Sequence, residues 1–374
     1  MPGNLDANEL PEDSLRTLRM TPVEGVRSDF DPEVQLYPTI AYPIDRGSYW
    51  RIQVHGRLCQ NVPPSLAKRF MLKTFIRALD LDEPIVSGPI FSERIHGFLV
   101  APIARGRVQI TIADQTLVLP RKSKSSGLFA CKLDIPRKQL QGFRIYGSLT
   151  GASQRPEHID APECTISCDN GLAQAVSTVF LAAERGVSVI SDIDDTIKYT
   201  DVCSRRRMLM RTFAEPFEPI HGMASVYQDW ENQGALFHYV SSSPWQIYDA
   251  VQEFLTTNSF PLGSMHLKWF RLRDELFKKW QIVRRKGKAG VISGLIKRMP
   301  HRQFVLVGDS GEKDPEMYAK LASKHPKQVI RICIRQIDEN PLDASRLNKI
   351  YKRYGMTVPI QVFAEANQLG DLRT

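Results

Sequence analysis

The sequence predicts an α/β protein in two parts: a β-rich, sandwich-like domain over residues 46–185, and a Rossmann-like parallel-sheet domain over residues 186–340. Two observations carry this reading. Before Gly186 the apolar residues come as short alternating runs separated by turn residues, the pattern of antiparallel strands with one wet face. After Gly186 they come as continuous apolar runs with helical stretches between them, the form of parallel strands buried on both faces.

Residues 1–45 are rich in Pro, Asp and Glu without periodicity and read as a loose leader, pinned to the body through "VQLYPTIAYPI". The alternating runs then follow in order: "YWRIQVHGRL", "RVQITIADQTLVL", "GLFACKLDI", "FRIYGSL", "CTISCD" and "AVSTVFLA". Within this part only "LAKRFMLKTFIRALDL" has helical spacing, and the rest suggests an antiparallel sandwich or barrel. In the second part "VSVISD", "ALFHYVSS", "FVLVGDS" and "VIRICI" are the expected strands. The helices between them are "MASVYQDW", "PWQIYDAVQEFL", "AGVISGLIKRM" and "PEMYAKLA". Residues 341–374 read as a C-terminal extension.

A formal charge of +9 favours acidic partners without choosing among nucleic acid, anionic lipid and phosphorylated ligands. No helix-turn-helix or RNP-like signature accompanies the basic runs, so nucleic acid is not expected. The start lacks an apolar signal core, no stretch is long enough to span a bilayer, and the six cysteines form no disulfide framework. These features lead to the expectation of a cytoplasmic protein. Cys164 and Cys168 lack the second Cys/His pair that a zinc site requires.

In open parallel sheets ligands sit at the carboxyl ends of the strands. There, "SVISDIDDTIKYTDV" places Asp192, Asp194 and Asp195 within four positions. Carboxylates this close repel unless a cation, a proton or a polar substrate compensates them. A strand-tip carboxylate can attack a phosphoryl group when a metal screens it, and a second one two residues on can serve as acid and then base. A plain turn cap is the competing reading. Ser241 ends the next strand and is free to hold a phosphoryl oxygen, whereas Ser243, before Pro244 and Gln246, reads as a helix-capping residue. Asp309 ends the strand "FVLVG" and suits a hard divalent metal such as Mg²⁺. Asp314 precedes Pro315 and is either an N-cap or a neighbour of the metal. Within the basic stretch "RRKGKAGVISGLIKRMP", Lys286 and Lys288 open a helix, and one of them can reach the phosphate as a point charge.

D-x-D-x-T, a strand-end Ser, a helix-start Lys and G-D-x-x-x-x-D, in this order, resemble the haloacid dehalogenase superfamily of aspartyl-phosphate hydrolases. More closely, "GVSVISDIDDTIKYTDV", "FHYVSSSPWQIY" and "FVLVGDSGEKDPEMY" resemble the actin-patch-associated phosphatidate phosphatase family over residues 186–340. The resemblance implies Asp192 as nucleophile, Asp194 as general acid/base, and Ser241 and Lys288 on the phosphate, with Lys286 as the fallback lysine. It implies Mg²⁺ held by Asp192, the Asp194 backbone carbonyl and the acidic pair Asp309 and Asp314. Asp195 fits the family pattern without an assigned role, and relatives often carry a His before the lysine where this chain has Gly287. The intervals from Asp194 to Ser241 and from Ser243 to Lys288 leave room for only a minimal cap, so the expected site is open. An open site and the basic stretches "SRRRMLMR" and "KKWQIVRRKGK" suit a peripheral enzyme on anionic membrane, with phosphatidate as substrate. The alternatives are a phosphomonoesterase acting on a soluble or protein-bound phosphate, and a non-catalytic lipid-binding scaffold.

Overall fold

The computed structural model of the chain describes residues 32–113, 115–146, 163–171, 173–269 and 280–372. Residues 1–31 of the expected leader lie outside this set, as do Lys278 and Lys279 of the second basic stretch. Among the described residues the strands form two sheets, one mixed and one parallel.

The mixed sheet begins inside the expected leader, with β1 (Pro32–Leu36) and β2 (Thr39–Ile44). Its spine is β3 (Tyr49–Gln60), which pairs antiparallel with β2 and β1 and with β4 (Ala101–Pro102) and β7 (Leu128–Pro136). The long run "YWRIQVHGRL" is therefore one strand with alternating burial, as its period-2 pattern requires. Gly56 sits where β1 and β7 crowd β3: a side chain there would overlap Gln35 O and the Phe129 ring. The sheet continues through β5 (Gln109–Ile112), β6 (Gln115–Val118), β8 (Ile145–Tyr146), β9 (Thr165–Asp169) and β10 (Gln174–Ala182). It departs from the antiparallel expectation where β10 pairs parallel with both β2 and β8. Cys164 and Cys168 are buried in the apolar core of this sheet.

Helix α1 (Leu66–Leu79) forms where the helical spacing predicted it. Two shorter helices follow that the sequence reading did not anticipate, α2 (Glu83–Val86) and α3 (Pro89–Leu99). Each has proline in its first turn, where a missing N–H costs nothing.

The parallel sheet has the order β13-β12-β11-β14-β15-β16. The four expected strands are β11 (Gly186–Ser191), β12 (Leu236–Pro244), β14 (Arg302–Asp309) and β15 (Val329–Arg335). β13 (Gly263–Lys268) and β16 (Ile360–Phe363) extend the two edges. The helices are α4 (Arg205–Phe213), α5 (Met223–Asn232), α6 (Tyr248–Thr257), α7 (Trp280–Arg298), α8 (Asp314–Lys324) and α9 (Ala344–Tyr354). From β11 the chain winds outward to β12 and β13, then returns to the other side of β11 as β14. Strand order thus reverses between β11 and β14, the place where such sheets leave a crevice at their carboxyl ends. Among the described residues no helix is long and apolar enough to cross a membrane.

The two sheets are tied together. The Met265 amide donates to Pro38 O at 3.2 Å, and Tyr37 stacks on Trp245 with ring centroids 3.9 Å apart. Arg94 of α3 donates to the carbonyls of Thr212 and Glu215 at the end of α4, satisfying carbonyls that a helix terminus leaves open.

Candidate active site

β11 delivers Asp192 directly from its last residue, and the Asp192 amide still pairs with Val307 O of β14 at 2.9 Å. β14 ends in Asp309, β12 carries Ser241 and Ser243, and α8 starts at Asp314. The structure brings all the expected site residues to this one end of the sheet, but it divides them into two clusters.

The first cluster is acidic. Asp192, Asp309 and Asp314 are buried, each offering one carboxylate oxygen, with all three oxygens within 4.8 Å of one another. Lys288 of α7 reaches in from the side. Its Nζ lies 3.0 Å from Asp192 Oδ1 and donates to both oxygens of Asp314, at 2.8 and 2.7 Å. Lys286 lies on the same helix among residues whose side chains are not described. Gly308 makes the packing possible, because a methyl group there would overlap Asp314 Oδ2 and the Tyr318 ring. Asp314 is therefore part of the cluster, and the N-cap position of α8 falls on Lys313.

Three carboxylates face one ammonium. Burial raises the Asp192 and Asp309 carboxyls well above the usual range; Lys288 works against this at both, and the neighbouring carboxylates add to it. Burial also opposes the charge on Lys288, yet Asp192 and Asp314 outweigh it and hold the ammonium well above the ordinary lysine range. Asp192 Oδ2 and Asp309 Oδ2 are buried without a hydrogen-bond partner. Unsatisfied buried carboxylate oxygens are costly, and hard oxygen donors with excess negative charge fit a divalent cation such as Mg²⁺.

The second cluster surrounds Asp194, whose carboxylate has its own set of donors. Its Oδ1 lies 3.0 Å from Lys198 Nζ and accepts from Thr200 Oγ1 at 3.0 Å. Its Oδ2 accepts from Ser241 at 2.9 Å and from Ser243 at 2.7 Å. Burial alone would raise this carboxyl, but Lys198 and the two serines outweigh it and hold Asp194 well below the usual carboxylate range. Ser243 is thus not a helix cap. β12 runs on through Pro244 with a register shift, and this carries Ser243 back to the site.

Asp195 explains how the loop folds. Its backbone is left-handed (φ 52°), a region that Asp enters more readily than most residues. Its carboxylate accepts the amides of Thr200, Asp201 and Val202 at 2.7, 2.9 and 2.6 Å. Its own amide donates to Lys198 O at 2.7 Å, and Arg335 Nη1 donates to its carbonyl at 2.9 Å. The loop closes on this one side chain and so presents Lys198 and Thr200 to Asp194. Sequence reasoning missed both residues. The available signal was a lysine four positions after Asp194 in a stretch otherwise apolar or β-branched.

The family model described as "Phosphatidate phosphatase APP1, catalytic domain" matches residues 187–336, which include every residue of both clusters. Over this segment the chain is similar to that family. An APP1 phosphatidate phosphatase from Saccharomyces cerevisiae is 34% identical over 172 residues, covering 44% of this chain and 29% of its own length. An uncharacterized protein from Schizosaccharomyces pombe is 30% identical over 173 residues, covering 45% of this chain and 28% of its own. The chain therefore matches less than a third of the length of these two relatives. A solved carbohydrate acetylesterase from Xanthomonas citri spans 90% of this chain and 69% of its own, at 6% identity and TM-score 0.29, too distant to bear on the fold.

Proposed function

We propose that the chain is a Mg²⁺-dependent phosphatidate phosphatase of the haloacid dehalogenase type, with a minimal cap, acting at a membrane surface. The observation that supports this best is the buried Asp192–Asp309–Asp314 cluster with Lys288, at the carboxyl ends of β11 and β14, within a segment similar to the APP1 catalytic family.

Asp192, Asp309 and Asp314 would hold Mg²⁺, with the Asp194 backbone carbonyl as a further ligand. The ion would supply charge that offsets the clustered carboxylates and polarises the phosphoryl group. Lys288 and Ser241 bind the phosphoryl oxygens. An Asp192 oxygen attacks phosphorus, forming an O–P bond as the bond to the diacylglycerol oxygen breaks, and Asp194 donates a proton to that leaving oxygen. Water then attacks the aspartyl phosphate, Asp194 takes its proton, and inorganic phosphate leaves. Asp194 with Lys198, Thr200, Ser241 and Ser243 around it is suited to the second, basic half. For the first half the carboxyl must carry a proton, so substrate binding has to loosen at least one of these donors.

Purified chain with Mg²⁺ should release phosphate from phosphatidate in mixed micelles faster than from a panel of soluble phosphomonoesters. Faster turnover of a soluble ester would replace the lipid by that substrate. No release from any of them would reject the phosphatase reading.

A further inference from the structure

Helix α1 carries an outer face that the fold does not use. Leu72, Phe75, Ile76 and Leu79 pack inward, and Lys68 Nζ ties the helix to α3 by donating to Leu99 O and Val100 O. On the opposite side, Leu66, Phe70, Lys73 and Arg77 follow one another at helical spacings of four, three and four residues, which aligns them on one stripe. Leu66 is 83% exposed and Phe70 71%, the two most exposed large apolar side chains among the described residues. The stripe is graded along its axis: apolar at the N-terminal half, cationic at the C-terminal half.

The cationic end is extended by α4. Arg206 Nη2 donates to Leu79 O at 3.2 Å, which sets the exposed Arg205 near the end of α1. Neither α1 nor α4 contains an acidic residue. Arg207 and Arg211 of α4 then pair with Asp201, whose amide is held by Asp195, so this surface connects to the loop that carries Lys198 and Thr200. Paired apolar side chains beside cations of one sign are the pattern of a surface that enters the headgroup region of an anionic bilayer.

We propose that this face of α1 is the membrane-docking surface, with Leu66 and Phe70 inserted at the headgroup–acyl boundary and Lys73, Arg77 and Arg205 against anionic headgroups. The proposal deepens the lipid-phosphatase reading, on which it rests for the identity of the substrate beneath the docked face. Binding itself is tested without turnover, by co-sedimentation of the full chain with phosphatidylserine-containing vesicles and with neutral phosphatidylcholine vesicles. The unaltered chain should bind the anionic vesicles. The double substitution Leu66→Gln, Phe70→Gln should weaken that binding about tenfold or more, as expected for removing two inserted apolar side chains. Val176→Gln, at an exposed apolar residue of β10, should leave it unchanged. Lys73→Gln with Arg77→Gln should reduce the preference for anionic over neutral vesicles. A double apolar variant that binds like the unaltered chain, or an unaltered chain that does not bind, would overturn the proposal. So would a dimer of the unaltered chain that becomes monomeric in the double variant, since the face would then serve self-association. Hydrolysis of a short-chain, water-soluble phosphatidate separates the two readings. It should survive the double substitution, and its absence in the unaltered chain would count against the phosphatase and not against docking.

Discussion

Lys288 Nζ stands 3.0 Å from Asp192 Oδ1 while Asp192 Oδ2 has no hydrogen-bond partner. One oxygen of this carboxylate is paired with the ammonium, and the other is left without a donor, open to a cation or a phosphoryl group. Asp192→Asn should therefore lower turnover by about a thousandfold or more with the fold intact, because an amide does not attack phosphorus. Acid-quenched protein should carry the phosphate label on Asp192 and not on the variant. Substantial activity in the variant, with deamidation excluded by mass spectrometry, would remove Asp192 as nucleophile.

Mg²⁺ should raise the thermal midpoint of the protein, since an ion that binds only the folded cluster stabilises it by mass action. Asp309→Asn should lose most of that shift, and chelator should abolish turnover. Ca²⁺ should not restore turnover, because it takes longer bonds and more ligands. Equal Mg²⁺ shifts in the unaltered chain and in Asp309→Asn would place the ion elsewhere.

Lys198→Met should move the acidic limb of the pH–rate profile upward. Lys198 is the largest influence holding the Asp194 carboxyl down against its burial, so its loss lets that carboxyl rise. The ionised base of the hydrolytic half then appears only at higher pH. The measurement is kcat against pH for both proteins. Superimposable profiles would show that this ion pair does not govern the proton-transferring group.

Acid stability should report the buried His238. Its imidazole accepts or donates to Ser188 and Ser264 at 3.2 and 2.7 Å, and burial pushes it well below the ordinary histidine range. Unfolding lets it bind a proton at its normal value, so the unfolded state takes up protons first as the pH falls. Its contribution is whole above about pH 6.5 and declines below it, by about 1.4 kcal/mol per pH unit for one group. His238→Gln should flatten the slope of stability against pH between about 6 and 5. An unchanged slope would assign the acid sensitivity to other groups.

How much of this was legible depended on where residues sit relative to apolar runs. Asp192, Ser241 and Asp309 end or follow continuous apolar runs, and a parallel sheet places such positions together whatever the loops do. The mixed character of the first sheet was not legible, because alternation in β10 states which face is wet and not which neighbour pairs with it. β13 was hidden for a physical reason. "GSMHLK" looks too polar for a buried strand, but Ser264 hydrogen-bonds both His238 and His266. Lys198, Thr200 and Ser243 were hidden because their placement depends on a left-handed residue and a register shift. Neither leaves a periodic trace.

The closure of the Asp194 loop on Asp195 also bears on the order in which the protein folds. Asp194, Lys198 and Thr200 are near neighbours in the chain, so their contacts require little loop-closure entropy and can form early. The acidic cluster, by contrast, unites β11 with α7, β14 and α8, and it exists only once β14 has returned across the sheet. The Lys198–Thr200 side of the Asp194 cluster is then the work of a local nucleus, while its Ser241 and Ser243 contacts and the whole acidic cluster are products of later, long-range docking. Refolding followed by stopped flow should show the two separately: Mg²⁺ should alter only the last phase, and replacing Asp195 should slow the first.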